Sequence, residues 1–229
     1  DTIASFDYDA DGRRTKMTTA SGTIRFHYDG TSAQVLYETN GSGNLLARYV
    51  YGANGQLLAM SRDGETYYYH YNGHGDVIAL TDSSGAVATT YEYDAFGNPF
   101  SSTGSVKNPY RYAGYRWDEE TGLYYLNARY YAPEIGRFIT RDSFHGFEDD
   151  PASLNQYNYA HSNPVMFVDP SGFFSLTLGG FSLSLSFLVY VPGVGQVSLL
   201  AIAAVVGGAW LINKYGIPWA IGKYQVYKI

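Results

Sequence analysis

Cysteine is absent from the 229 residues. That excludes disulfide staples, thiolate metal sites and a cysteine nucleophile. Charge is sparse as well, at 16% of residues. No G-x-S-x-G elbow, Walker loop or dinucleotide fingerprint occurs. The five histidines have no metal-ligand spacing beyond His70 and His74, which lie in a glycine-rich turn instead of on a helix face. No metal or cofactor is therefore expected. His145 is a candidate general base only through its nearness in sequence to Asp142. What is abundant is tyrosine, at 24, and glycine, at 26, a mixture suited to short strands and tight turns.

The net charge of −6 is unevenly spread. Residues 173–229 hold Lys214, Lys223 and Lys228 and no Asp or Glu, so that part carries +3 and the remainder −6 − 3 = −9. An acidic body repels phosphate backbones, and nucleic acid is not an expected partner. The chain opens on Asp1 with no charged and apolar leader after it, which suggests a C-terminal piece of something longer.

Tyr followed four residues later by Gly recurs at Tyr8, Tyr51, Tyr71 and Tyr93, with Tyr28-Asp29-Gly30 as a variant; the tyrosines are 20, 23, 20 and 22 residues apart. Each unit reads as an alternating strand, a polar Asp/Asn/Gly turn and a second strand, hence a hairpin. One hairpin cannot bury its apolar face alone, whereas stacking hairpins edge to edge does so. Asp and His residues in these turns read as turn formers. Asp7-Tyr8-Asp9-Ala10-Asp11-Gly12 matches the opening of a calcium loop, but Thr18 stands where the closing Glu belongs. Residues 1–107 are read as repeats, with 100–107 a flexible connector.

Residues 108–173 form a denser segment. Strands are expected at 108–111 and 123–131 around a turn at 119–122, then a turn at 133–136 and a short helix over 151–160. Arg111-Tyr-Ala-Gly-Tyr-Arg-Trp-Asp-Glu-Glu-Thr-Gly-Leu-Tyr-Tyr-Leu-Asn-Ala-Arg-Tyr-Tyr-Ala-Pro-Glu-Ile-Gly-Arg-Phe138, then Asn163-Pro164 and Asp169-Pro170-Ser171-Gly172, resembles the repeat-associated core of RHS/YD-repeat proteins, secreted bacterial polymorphic toxins. The resemblance covers about residues 1–173. It implies a mainly β fold, in which stacked YD hairpins form part of a spiral β-shell, and a secreted, cell-surface or cell-wall location. Upstream repeats of a longer polypeptide and an immunity protein are the implied partners.

The resemblance also implies one self-cleavage by an aspartyl-type centre, with no turnover enzyme. Carried over by position, Arg129 orients the dyad Asp142 and Asp169, and the cut falls between Phe173 and Phe174. Two carboxylates brought together share a proton and divide acid and base roles. The first site departs from the family's Asp-Pro-x-Gly, reading Asp142-Ser143-Phe144-His145-Gly146, and Phe173 replaces the commoner Leu. The alternative is a non-cleaving structural or adhesive repeat protein that binds a glycan or a cell-surface partner.

Residues 174–229 make a hydrophobic variable tail, the toxin position of the family. Alternation on either side of Gly179-Gly180 reads as a hairpin. From Val197 to Ile212 only Ser198 is polar, and the stretch from Val191 is long enough for a helix that crosses a bilayer. Trp210, Tyr215, Trp219, Lys214 and Lys223 would then meet headgroups, giving membrane contact through 191–223. A buried cargo helix or hydrophobic lead-in fits the same residues.

Overall fold

The computed structural model describes residues 2–142, 145, 153–173, 176–177, 184–191, 195–202 and 227–228. The chain divides into two compact units, one of residues 1–144 and 155–178, the other of 145–154 and 179–229.

The repeats build ten strands: β1 (Ala4–Tyr8), β2 (Arg14–Thr19), β3 (Gly22–Tyr28), β4 (Val35–Asn40), β5 (Leu45–Tyr51), β6 (Leu57–Arg62), β7 (Glu65–Tyr71), β8 (Val77–Thr81), β9 (Val87–Tyr93) and β10 (Pro99–Thr103). They lie in chain order in one antiparallel sheet, as the stacked-hairpin pattern requires. The turns follow from one device. Asp9, Asn40, Asn72, Asp82 and Asp94 each use Oδ1 to accept the backbone N–H groups two and four residues on, at 2.8–3.0 Å. The glycine that follows three residues later holds φ between +78° and +91°, a backbone conformation that other residues rarely adopt.

Every YD tyrosine marks a register shift. Opposite Tyr8, Tyr28, Tyr51, Tyr71 and Tyr93, the returning strand carries one extra residue: Thr15, Leu36, Leu58, Ile78 or Phe100. The tyrosine hydroxyls then reach back one unit. Tyr28, Tyr51, Tyr71 and Tyr93 donate to the carbonyls of Arg14, Val35, Leu57 and Val77 at 2.7, 3.1, 2.7 and 3.0 Å. Those four residues are the register partners of the preceding unit's tyrosine. Tyr49, Tyr69 and Tyr91, two residues upstream of YD tyrosines, are buried with Met17, Phe26 and Met60 in the sheet's core.

Expected connector 100–107 is in part strand: β10 pairs with β9, and the Thr89 hydroxyl donates to the Thr103 carbonyl. The denser segment forms a second sheet from β11 (Arg116–Asp118), β12 (Leu123–Tyr125), β13 (Tyr130–Ala132) and β14 (Arg137–Phe138). The single strand expected over 123–131 is thus two strands, because Asn127 adopts φ +64° and reverses the chain. The turn at 119–122 joins β11 to β12, while 108–111 contributes only the bridge Tyr110–Arg116. The expected helix over 151–160 is absent from 153–159, and Ala160 opens a short 3-10 turn over Ala160–Ser162 instead. The backbone there is committed elsewhere: the carbonyls of Gln156 and Tyr157 accept the N–H groups of Asp142 and Phe138.

Three core tyrosines clasp the last YD turn. Tyr112, Tyr131 and Tyr124 donate to the successive carbonyls of Ala95, Phe96 and Gly97 at 2.9, 2.7 and 2.9 Å. Buried charges lie between the two sheets' residues. Glu38 accepts from Arg116 at 2.7 Å, Arg62 at 3.0 Å and the Tyr49 hydroxyl at 2.7 Å. Burial alone would push its carboxyl up, but the two guanidiniums and the hydroxyl outweigh that and hold it below the ordinary range. Arg14 forks onto Asp118, and Arg14 and Arg116 stack on the Phe26 ring at 4.9 and 4.5 Å.

In the second unit, β17 (Ser184–Val191) pairs with β18 (Gly195–Ile202) and with β19 (Tyr227–Lys228). The helix expected from Val191 is therefore overturned at Val191 and over 195–202, which are strand; an apolar run alone does not separate the two states. Among the described residues no helix is long and apolar enough to cross a membrane. Residues 178–183, with the Gly179-Gly180 turn, and 203–226 lie outside the described residues. In the first unit, β16 (Leu176–Thr177) pairs with β15 (Phe167–Val168).

Candidate functional site

The connection from β12 to β13 places Arg129 against the closing turn of the core. Ala128 N–H reaches both the Leu126 carbonyl at 2.8 Å and the Ser171 carbonyl at 3.2 Å. That seats the reversal against Asp169-Pro170-Ser171-Gly172. The turn closes on itself, with Gly172 N–H donating to Asp169 Oδ1 at 2.8 Å. Gly172 holds φ +74°, and a Cβ there would lie 2.7 Å from the Leu126 carbonyl oxygen. Only glycine fits without displacement.

Arg129, Asp142 and Asp169 come together. The guanidinium directs Nη1 to Asp142 Oδ2 at 2.8 Å and Nη2 to Asp169 Oδ2 at 3.3 Å. Its Nε donates to the Gly172 carbonyl, and Nη1 also reaches the Gln156 carbonyl at 3.3 Å. The Phe138 ring covers it at 3.7 Å. Burial lowers the Arg129 pKa from its ordinary value, and Asp142 and Asp169 offset that only in part. Asp169 is 1% exposed. The Asp142 side chain is more open, at 13%.

Two residues with no signal in the sequence fix the backbone of the two aspartates. Gln156 accepts the Asp142 N–H at 2.9 Å through its backbone carbonyl and donates from Nε2 to the Asp142 carbonyl at 3.0 Å. The Tyr115 hydroxyl accepts the Asp169 N–H at 2.7 Å and pairs with the Tyr159 hydroxyl at 3.0 Å. Gln156 lies inside the segment expected to be helical, and Tyr115 is one tyrosine among 24.

Phe173 is 60% exposed. Phe174 lies outside the described residues, and His145, in the second unit, is exposed. His70 Nε2 pairs with Thr81 Oγ1 at 2.9 Å, and His74 pairs with Asp76. At the calcium-like turn, Asp9 Oδ2 takes the Arg13 Nε–H at 2.8 Å, and Asp7 pairs with Lys16. Among the described residues no group of three His, Asp or Glu is placed to hold a metal ion.

A nuclease of Bacillus spizizenii called tRNA3(Ser)-specific nuclease WapA is 49% identical over 173 residues, 74% of this chain and 7% of that protein. The tRNA(Glu)-specific nuclease WapA of Bacillus subtilis subsp. natto is 43% identical over 231 residues, 97% of this chain and 10% of that one. The chain thus spans a tenth or less of the length of these two relatives. A solved structure of TcdB2-TccC3 superposes with TM-score 0.60 at 27% identity, over 74% of this chain and 9% of that one. The family model for the Teneurin YD-shell matches residues 5–165. That match takes in the ten-stranded sheet and Arg129 with Asp142, and the chain belongs to the YD-shell family.

Proposed function

We propose that this chain is the closing part of a shell in a longer exported toxin polypeptide, and that it cuts itself once between Phe173 and Phe174. The observation that carries this reading is the hold of one buried guanidinium on Asp142, Asp169 and the Gly172 carbonyl. That carbonyl belongs to the residue just before Phe173, so the strand to be cut is tethered to the two carboxylates. Water adds to the Phe173 carbonyl carbon. Asp142, the more open carboxylate, takes a proton from that water, and Asp169, which carries the proton the dyad shares, delivers it to the departing Phe174 nitrogen. One peptide bond and one water are consumed, and a carboxyl and an amine remain.

The relatives named for tRNA cleavage support a cargo role for whatever follows the shell. Residues 174–229 lack Asp, Glu and His, which leaves Lys and Tyr as their only acid–base side chains. They act as a hydrophobic lead-in to cargo or as a membrane-perturbing segment. Upstream repeats and an immunity protein are the proposed partners, and a secreted or wall-associated setting follows from the same reading. The adhesive alternative is less favoured because seven tyrosine hydroxyls are occupied by backbone carbonyls within the protein.

Intact-mass analysis of the purified full chain tests the cut. Two species split at Phe173 to Phe174, and a single full-length species for Asp169→Asn, are expected. A wild-type chain that stays whole under all folding conditions would remove the reading.

A further inference from the structure

His74 lies in the turn between β7 and β8, and both nitrogens of its ring face oxygens that only accept. Nδ1 is 2.7 Å from Asp76 Oδ1, and Nε2 is 2.7 Å from the Pro164 carbonyl oxygen. A neutral imidazole carries one N–H and satisfies one of these acceptors; satisfying both takes the imidazolium. The groups that face the ring are Asp76 from its own turn, the Pro164 carbonyl from the segment before Asp169, and the Tyr112 ring, 5.1 Å away. His74 and Asp76 are largely buried, with side chains 15% and 10% exposed.

Asp76 has a second hold on the core. Its Oδ1 accepts the Ala113 N–H at 2.8 Å, and Oδ2 accepts from Asn72 Nδ2 at 2.7 Å. Ala113 is two residues from Tyr115, whose hydroxyl receives the Asp169 N–H. Pro164 is five residues ahead of Asp169 on the other side. One repeat turn thereby grips both backbone segments that deliver Asp169 to Arg129.

We infer that His74 and Asp76 form a proton-dependent clasp through which the fourth repeat turn positions Asp169, so that self-cleavage is licensed only once that turn is docked on the core. The inference rests on the proposed self-cleavage. Both residues are positioning residues, since neither touches the bond to be cut. The proton affinity of the ring agrees with the geometry: burial alone would lower the His74 pKa, but the Asp76 carboxylate and the Pro164 carbonyl outweigh it and raise it. With the folded value above the ordinary 6.5, the clasp is complete below that pH and is lost as pH rises through the raised value.

The test follows the first-order appearance of the two fragments after refolding of the full chain, between about pH 5 and about pH 9, the range in which an imidazole titrates. The wild-type rate should fall on the alkaline side. His74→Gln should cut about tenfold more slowly at low pH, as for the loss of one hydrogen bond, and its rate should lack the alkaline fall. A variant with the wild-type rate and profile would overturn the clasp. If the wild type does not cut at all, the self-cleavage reading fails by itself, and the clasp is then read from hydrogen-exchange protection of the Asp169 amide. Protection in the wild type should drop about tenfold as pH rises through the His74 titration. Unchanged protection would overturn the clasp independently of cleavage.

Discussion

The Tyr71 hydroxyl donates to the carbonyl of Leu57 at 2.7 Å, and Leu57 is the residue paired with Tyr51, the equivalent tyrosine one unit earlier. Each hairpin is thus pinned to its predecessor by a side-chain bond that crosses from unit to unit. Tyr71→Phe keeps the ring and leaves that carbonyl without the donor, at a cost of about 1–2 kcal/mol. Urea unfolding should show a lower midpoint at unchanged slope. Tyr28→Phe and Tyr93→Phe, which act on Arg14 and Val77, should add to within about 0.5 kcal/mol because they share no partner.

Glu38 is fully buried between two arginines. Glu38→Gln leaves Arg62 and Arg116 without their carboxylate and should destabilise by about 3–5 kcal/mol, the range for a broken buried pair. Glu119→Gln, which removes an exposed partner of Arg111, should leave the unfolding midpoint nearly in place.

The same carboxylate sets an acid limit. Its folded pKa is lowered, so its contribution is fully present above the ordinary value of 4.5 and is lost as pH falls below that value toward the folded one. Thermal unfolding across this window should show the melting temperature of the wild type dropping with acid. The slope should be shallower in Glu38→Gln.

Gly172→Ala forces a side chain into a left-handed position, at about 1–2 kcal/mol, and pushes on the Leu126 carbonyl. The Arg129 bond to the Gly172 carbonyl depends on that turn. The expected outcome is a modest loss of stability together with a large loss of fragment formation by mass analysis. Ser171→Ala, in the same turn at an ordinary φ, removes the hydroxyl that accepts the Phe173 N–H at 3.3 Å and should slow the cut far less than Gly172→Ala.

The hairpin stack was legible because Asp, Asn and Gly at fixed offsets from tyrosine specify a turn through local chemistry alone. Arg129, Asp142 and Asp169 were named through a resemblance, and the structure brings the three together; the spacing of 27 residues between the two aspartates carries no geometric information of its own. Tyr115 and Gln156 were hidden because their roles come from contacts 54 and 14 residues away in sequence. The helix at 151–160 failed because its pattern was local, whereas the carbonyls of Gln156 and Tyr157 are taken by Asp142 and Phe138. In the tail, apolar content spoke for burial without deciding between strand and helix.

Tyr112, Tyr131 and Tyr124 grip Ala95, Phe96 and Gly97 through the main chain, so the joint between strip and core reads the path of the last turn and not its side chains. Upstream of it, the units meet the core through side chains instead: Arg14 on Asp118, Glu38 on Arg116 and His74 on the Pro164 carbonyl. A whole hairpin gained or lost ahead of Tyr93, a step of 20 to 23 residues, would leave this joint in place but carry those partners one unit away from the core. An insertion of half a hairpin would present the wrong edge and break it. The last turn is thus tolerant of sequence, whereas the number of hairpins between Arg14 and Tyr93 is set by the buried charges that must meet the core.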